Sequence, residues 1–405
     1  MPAREIAVKN PFKKGQFQPY TAPLYLGRYQ ARHKCPYSFN CNPYLGCLHK
    51  CKYCFSDHIQ TAKHTRFDYV RPADIEKMES HIINGIKGKQ HDKISKCLQM
   101  RIPIKIGAMT DPFQPAEKEF KITLRLLELL NRQKYPVIVN TKGSLVAEEP
   151  YISLLASMPS VVQISLMSMN DGLISRLEPN VPSPKDRIKI ISKLSEAGIV
   201  TQLRAAPIIP MVNEDISDVV SAAYLAGAKD VLFHILFMKK NPYAFEKLSG
   251  ALGFNYLKTL RNNKHWAFDG KGYSYSMSDY QKYIDSVKPI VARTGMGFYP
   301  ENPPVPDNPW TSCCGVEKYP GFENNMSWVL MIRGRKIGNH TSFAEYIRGS
   351  GCPYVADFKR KWDSGVLDQV IPGIYFNPED KTYSRMNALE FERMCENDSK
   401  ASRRK

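Results

Sequence analysis

Cys47, Cys51 and Cys54 fall in the run G-C-L-H-K-C-K-Y-C, a C-x3-C-x2-C spacing behind Gly46. Three thiolates on one tight loop can each hold one iron of a four-iron cube. The fourth iron finds no cysteine on this loop and stays open to another ligand, the logic that leaves an open position in catalytic zinc sites. A protein that only carries electrons normally closes all four positions, so an open iron points to a substrate bound directly to the metal. Two other chemistries are compatible with these thiols. One is an electron-transfer cluster. The other is structural zinc, since Cys51 and Cys54 have C-x2-C spacing with His49 and His58 close by. Zinc, however, usually wants a matching ligand pair elsewhere in the chain.

The chain has ten cysteines, and half of them lie between positions 35 and 54. In a reducing compartment clustered cysteines point to metal or catalysis rather than to disulfides. Cys313 and Cys314 form a second candidate group in the Pro-rich run W-T-S-C-C-G. They could donate hydrogen to a product radical, or hold a second metal with Cys35, Cys41 or Cys352. They could equally be small loop residues. Cys97 and Cys395 read as structural thiols.

The elements that must position these groups show as a rhythm from about residue 70. Apolar runs of strand length at 102–108, 136–140, 161–167, 199–209 and 231–237 alternate with segments of helical period at 117–132, 150–157, 185–197 and 215–226. Gly198 and Gly227 close two of those helices. Such alternation means βαβ units and a parallel sheet. With a first strand running into Cys47, the count reaches about six units. Ligand sites in these folds sit at the C-terminal ends of the strands, where the T-D-P, T-K-G and A-P-I-I-P segments fall. Residues 1–39 read as a basic, aromatic-rich arm, 40–240 as the α/β domain, 241–396 as an extension on it, and 397–405 as a basic tail.

Composition sets the class. The chain is 43% hydrophobic and 24% charged, ordinary for a folded soluble protein. Its most apolar stretch, 231–238, is far too short to span a bilayer, and the first ten residues have no apolar core of the signal-peptide kind. The expectation is a cytoplasmic protein with no membrane partner. The net charge is +18, and the first hundred residues hold 17 Lys or Arg against 7 Asp or Glu. That bias favours anionic partners such as DNA or RNA, the alternative being a solvated basic surface.

The cysteine spacing is the signature of the radical S-adenosylmethionine superfamily. The run from Asn42 to Phe55, A-M-T-D-P-F-Q-P-A-E-K-E from Ala108, L-E-P-N-V-P-S-P-K-D-R from Leu177 and R-A-A-P-I-I-P-M-V-N-E from Arg204 together resemble its spore photoproduct lyase-like branch. The resemblance implies a partial (βα)6 barrel of the TIM type with the cluster loop after the first strand. It also implies a 4Fe-4S cluster, S-adenosylmethionine and an electron donor such as flavodoxin or ferredoxin. The implied reaction cleaves S-adenosylmethionine to methionine and a 5′-deoxyadenosyl radical, which takes hydrogen from the substrate.

Carried over by position, Thr110 and Asp111 contact the methionine amino group and Lys142 pairs with the methionine carboxylate. Ser165 reaches the ribose or carboxylate. Arg204, Pro207 and Ile209 hold the adenine, and Tyr53 packs beside the cluster. For Thr110 and Ser165 an ordinary strand-end hydroxyl bonded to backbone is the competing reading. The resemblance breaks at two positions. Relatives that repair spore photoproduct place a hydrogen-donating cysteine after the second strand and a tyrosine after the last cluster cysteine. Here Met109 and Phe55 stand there, which argues against that repair route. The substrate class this leaves is a nucleic acid or nucleotide, with a peptide or protein as the alternative. An iron–sulfur protein without catalysis is a third reading.

Overall fold

The computed structural model describes residues 19–26, 39–57, 67, 69–99, 101–239, 241–268, 272–301, 314–322, 373–376 and 383–386. The chain divides into two compact units. The first is Met1–Leu24, Asn40–Glu79 and Lys105–Val305; the second is Tyr25–Phe39, Ser80–Ile104 and Pro306–Lys405.

The strands, in chain order, are β1 (Leu24–Leu26), β2 (Phe39–Cys41), β3 (Tyr44–Leu45), β4 (Arg71–Pro72), β5 (Ile104–Ile106), β6 (Val137–Thr141), β7 (Ser160–Ser165), β8 (Val200–Ile208), β9 (Asp230–Ile235), β10 (Met238–Lys239), β11 (Trp266–Phe268), β12 (Gly272–Tyr275), β13 (Gly297–Pro300), β14 (Gly373–Phe376) and β15 (Tyr383–Met386). Eight of them form one sheet in the order β1-β2-β5-β6-β7-β8-β9-β13. The β2–β5, β6–β7, β7–β8, β8–β9 and β9–β13 pairings are parallel. The protein is therefore a mixed α/β fold with a mostly parallel central sheet, as a radical SAM partial TIM barrel requires.

The strand sequences explain their depth. Val-Ile-Val-Asn-Thr in β6 and Ser-Val-Val-Gln-Ile-Ser in β7 are nearly continuous apolar runs, and every residue of β7 is buried. A parallel sheet covered on both faces calls for this rather than for alternation. The helices between strands each bury one stripe. In Ile122–Arg132 the buried residues Ile122, Leu126, Leu129 and Leu130 recur at helical spacing. In Pro184–Glu196 the Ser183 side chain accepts the Asp186 amide and Pro184 opens the helix, a strong start signal. Gly198 and Gly227 follow their helices at positive φ, as expected of stop residues.

Four features depart from the sequence expectation. The single helix expected over 117–132 is two, Glu117–Phe120 and Ile122–Arg132, because Lys121 adopts φ +50° between them. Of the arm expected over 1–39, Leu24–Leu26 enters the sheet beside β2, while most of the rest lies outside the described residues. Beyond residue 240 the sheet gains a further parallel strand, β13, paired with β9 from Gly297–Asp230 to Pro300–Phe233. A small antiparallel sheet, β10-β12-β11, also forms there.

Candidate functional site

The cysteine loop leaves β2 at Cys41 and turns at Gly46, whose φ is +86°. A Cβ there would overlap the Tyr69 carbonyl oxygen and come within 2.8 Å of that of Phe67, so only glycine fits the turn. Past the turn the loop is held from several sides. The Cys47 amide donates to the Phe67 carbonyl at 3.0 Å and the Lys52 amide to that of Leu177 at 2.8 Å. Gln114, fully buried, uses both ends of its amide: it accepts from the Leu48 amide at 2.9 Å and donates to the Gly46 carbonyl at 3.1 Å. Asn180 donates to the Leu48 carbonyl at 2.7 Å.

Cys47 and Cys51 are buried and Cys54 half-buried. Burial pushes the Cys47 thiol up to about 12 and raises Cys51 and Cys54 as well, with repulsion among the three would-be thiolates adding to it. Several groups work in the other direction. The Asp111 and His49 amides point at the Cys47 sulfur, those of Ser56 and Asp57 at Cys54, and the Lys142 cation faces Cys51 and Cys54. Thiols that resist ionising alone, yet have donors and a cation arranged around their sulfurs, suit thiolates neutralised by bound iron. Among the described residues no three His, Cys, Asp or Glu side chains are grouped to hold a metal ion. In a four-iron cube each thiolate binds a different iron, so such a compact group is not needed.

The remaining sequence candidates lie where the parallel strands end. Asp111, after β5, is hydrogen-bonded from several sides. Its Oδ1 accepts the Thr141 hydroxyl at 2.6 Å and the Phe113 amide at 2.9 Å, and its Oδ2 accepts the Lys142 amide at 2.7 Å with His49 Nδ1 at 3.4 Å. Burial alone would raise the carboxyl, but His49 and these donors outweigh it and hold it below the usual range. Thr110 donates its hydroxyl to the Tyr44 carbonyl at 2.7 Å, the backbone-bonded alternative. Lys142 follows β6, and its Nζ stands 5.9 Å from the centre of the Tyr53 ring. Ser165 is the buried last residue of β7, in register with Arg204 on β8.

Arg204 Nη2 lies 3.6 Å from Glu301 Oε2, which His234 Nε2 also approaches at 3.3 Å. Pro207 follows a cis peptide bond in β8. Ile209 is fully buried in one apolar cluster with Cys51, Tyr53, Met167 and Leu236. Cys51, Tyr53, Lys142 and Ile209 thus converge on the cysteine loop, whereas Arg204 is engaged with Glu301. Cys314 is buried in the second unit, and Cys313, Cys35, Cys352 and Cys395 lie outside the described residues. Met109 sits by the loop with the Ser56 hydroxyl 3.9 Å from its sulfur, and Phe55 is 51% exposed.

Three residues escaped the sequence reading. Gln114 clamps the loop, and Glu178 with Arg187 forms a fully buried ion pair behind Tyr53. Glu178 and Arg187 stand nine positions apart in L-E-P-N-V-P-S-P-K-D-R. Charges that deep are found only when paired, yet nothing in the spacing distinguishes such a pair from two surface residues.

Residues 41–223, just under half of the chain, match the family model of the Radical SAM superfamily. Members of that superfamily are enzymes that use a 4Fe-4S cluster and S-adenosylmethionine. The chain is 26% identical over 201 residues to an uncharacterized protein of Mycobacterium tuberculosis, covering 48% of this chain and 58% of that one. Thus it spans well under two thirds of that relative's length. It is 25% identical over 251 residues to an uncharacterized protein of Methanocaldococcus jannaschii, covering 61% and 83%. Among solved structures it is similar in fold to spore photoproduct lyase with bound AdoMet and dinucleoside spore photoproduct, with TM-score 0.51 and 16% identity over 65% of this chain and 76% of that one. Among the described residues no helix is long and apolar enough to cross a membrane.

Proposed function

We propose that the protein is a radical SAM enzyme that takes hydrogen from a nucleic acid or nucleotide. The observation that carries the radical chemistry is the gathering of Cys47, Cys51 and Cys54 on one loop, with amide donors at Cys47 and Cys54 and the Lys142 cation facing Cys51 and Cys54. Those three thiolates would hold the cluster, which when bound would supply the electron that splits S-adenosylmethionine at its sulfur. Lys142 pairs with the methionine carboxylate, a charge-assisted bond favoured in a dry site. Ser165 presents a hydroxyl to the ribose. Ile209 and Pro207 form an apolar wall against the adenine and keep water out. Arg204, already paired with Glu301, orients that wall from its edge.

The substrate class follows from charge. A net +18 draws phosphate-bearing partners, and the structurally similar lyase was solved with a dinucleoside. The Met109 and Phe55 positions leave the hydrogen-return route of spore photoproduct repair without its donors. Cys313 and Cys314 are the thiols proposed to return hydrogen instead.

The test begins with anaerobic reconstitution. The protein gains about four irons per chain, and with dithionite it releases 5′-deoxyadenosine from S-adenosylmethionine. The triple variant of Cys47, Cys51 and Cys54 to Ala loses both. Retention of full iron and sulfide by that variant refutes the cluster assignment. Filter binding of a single-stranded oligonucleotide over a salt series then tests the substrate class. Affinity falls with a log–log slope of about −0.7 per neutralised phosphate. No binding at low salt refutes the nucleic-acid polymer and leaves a nucleotide-sized or peptide substrate.

A further inference from the structure

Behind the cysteine loop lies a chain of buried charge that none of the proposed ligand contacts uses. The Tyr53 hydroxyl donates to Glu178 Oε1. Glu178 Oε2 lies 2.5 Å from Arg187 Nη2, and both side chains are fully buried. The two meet as an ion pair rather than as an aligned hydrogen bond, since neither atom has a well-directed partner. Arg187 is fixed in turn by bonds from Nη1 to the Ser165 carbonyl at 2.8 Å and from Nε to the Pro182 carbonyl at 3.0 Å. Tyr53 stands between two of the three cysteines, and its ring carries Lys142 Nζ 5.9 Å from its centre on the way to the same thiols.

Several acidic groups around the loop have a partner. Asp57 is paired with Lys247, Asp111 with His49, and Glu178 with Arg187. Lys142 stands over the Tyr53 ring, within electrostatic reach of Cys51, Cys54 and the Glu178 carboxylate. Burying a carboxylate and a guanidinium costs more than their attraction usually returns, so such a pair is weak evidence for stability and calls for another reason. Here the pair sits within electrostatic reach of Cys51, which feels the Glu178 carboxylate directly. Reduction of a cluster adds one negative charge beside those sulfurs, and local charge and hydrogen bonds are what set its potential.

We infer that Glu178 and Arg187 are positioning residues that set the reduction equilibrium of the centre held by Cys47, Cys51 and Cys54, with Tyr53 as their link to the loop. Arg187 cancels a carboxylate that would otherwise oppose the incoming electron. Glu178 in turn keeps Arg187 from holding the electron too firmly to pass it on.

The inference rests on the radical SAM reading, so iron and sulfide are counted first. A wild-type protein that cannot be loaded fails that reading, whereas a loaded protein with unmoved potentials fails this one alone. The measurement is an anaerobic dithionite titration with redox mediators, followed by electron paramagnetic resonance, on loaded full-length protein without S-adenosylmethionine. Glu178→Gln leaves the buried guanidinium unpaired and favours reduction about tenfold, a rise of about 59 mV for a one-electron couple. Arg187→Met leaves the carboxylate unpaired and shifts the potential downward. The double variant returns toward wild type, and Arg187→Lys, which keeps the charge, stays near it. Should a buried-charge variant fail to fold, Tyr53→Phe decides. It removes only a hydroxyl, strips one hydrogen bond from the carboxylate, and lowers the potential in the direction of Arg187→Met. Singles that load fully yet share the wild-type potential overturn the inference, as does a double variant no closer to wild type than either single.

Discussion

Replacing Gly46 with Ala probes whether backbone shape, rather than cysteine spacing alone, builds the cluster loop. Two costs act there. At φ +86° an L-residue loses roughly 1–2 kcal/mol against glycine. The new Cβ also overlaps the Tyr69 carbonyl oxygen and comes within 2.8 Å of that of Phe67. These are backbone atoms that cannot swing away, so their displacement resembles overpacking, about 1–3 kcal/mol. The lower entropy of the unfolded alanine chain returns about 0.4–1 kcal/mol. The net loss is roughly 1–4.5 kcal/mol.

Gly198 is the matched control. Its φ is +76°, and a Cβ there meets open space. Gly198→Ala therefore carries only the backbone cost, about 0–1.5 kcal/mol net. The Phe67 carbonyl at risk in Gly46→Ala is also the acceptor of the Cys47 amide, so the strain falls on a thiol-bearing residue. Urea unfolding of both variants under argon, followed by intrinsic fluorescence, gives the difference in the first transition. Iron per chain after reconstitution gives the effect on the site. Gly46→Ala should lose more stability than Gly198→Ala and load less iron. Equal losses with equal iron would refute the claim that the Phe67–Tyr69 backbone shapes the loop.

Lys142→Ala should weaken S-adenosylmethionine binding to the loaded protein by about 1.5–3 kcal/mol, the worth of a charge-assisted bond; unchanged affinity by titration calorimetry refutes the carboxylate placement. Cys313→Ser with Cys314→Ser should leave S-adenosylmethionine cleavage intact while changing how the product radical partitions, and an unchanged product profile removes these thiols from hydrogen return. Asp279, bonded to Ser276 and flanked by Lys282 and His265, has its carboxyl drawn from 3.8 down to about 2. A depressed folded value means stability present above pH 3.8 and lost as pH falls toward 2, so Asp279→Asn should flatten acid unfolding in that window; an unaltered acid limb contradicts a stabilising role for the hydrogen bond its carboxylate accepts from the Ser276 hydroxyl.

How much of this was legible in the sequence depends on the range of the interaction involved. The grouping of Cys47, Cys51 and Cys54 was, because their spacing on one short loop is a local feature. So was the parallel sheet, because strands covered on both faces read as apolar runs between helices. Element ends shifted by one or two residues, as expected where hydrogen bonding fades. The break at Lys121 was not legible, since apolar spacing runs through 117–132 while a positive φ at a lysine leaves no mark in the pattern. Nor was β13. The four residues Gly-Phe-Tyr-Pro have no periodicity of their own and become a strand only because the edge of β9 is there to pair with.

The same distinction separates two kinds of site residue. The positions of Lys142 and Ser165 at the ends of β6 and β7 could be anticipated because the apolar runs that end there read as parallel strands. Glu178 and Arg187 could not, because their meaning is relational. Each is an ordinary surface residue until the helix Pro184–Glu196 packs and brings its first turn back over the loop that precedes it. Tyr53 belongs to both kinds. Its place between two cysteines marks it from the sequence, but only the fold reveals that its hydroxyl reaches a buried carboxylate 125 residues further on. A site with one shell set by local spacing and a second set by tertiary packing can keep its three cysteines while the second shell changes, and with it the ease of reduction.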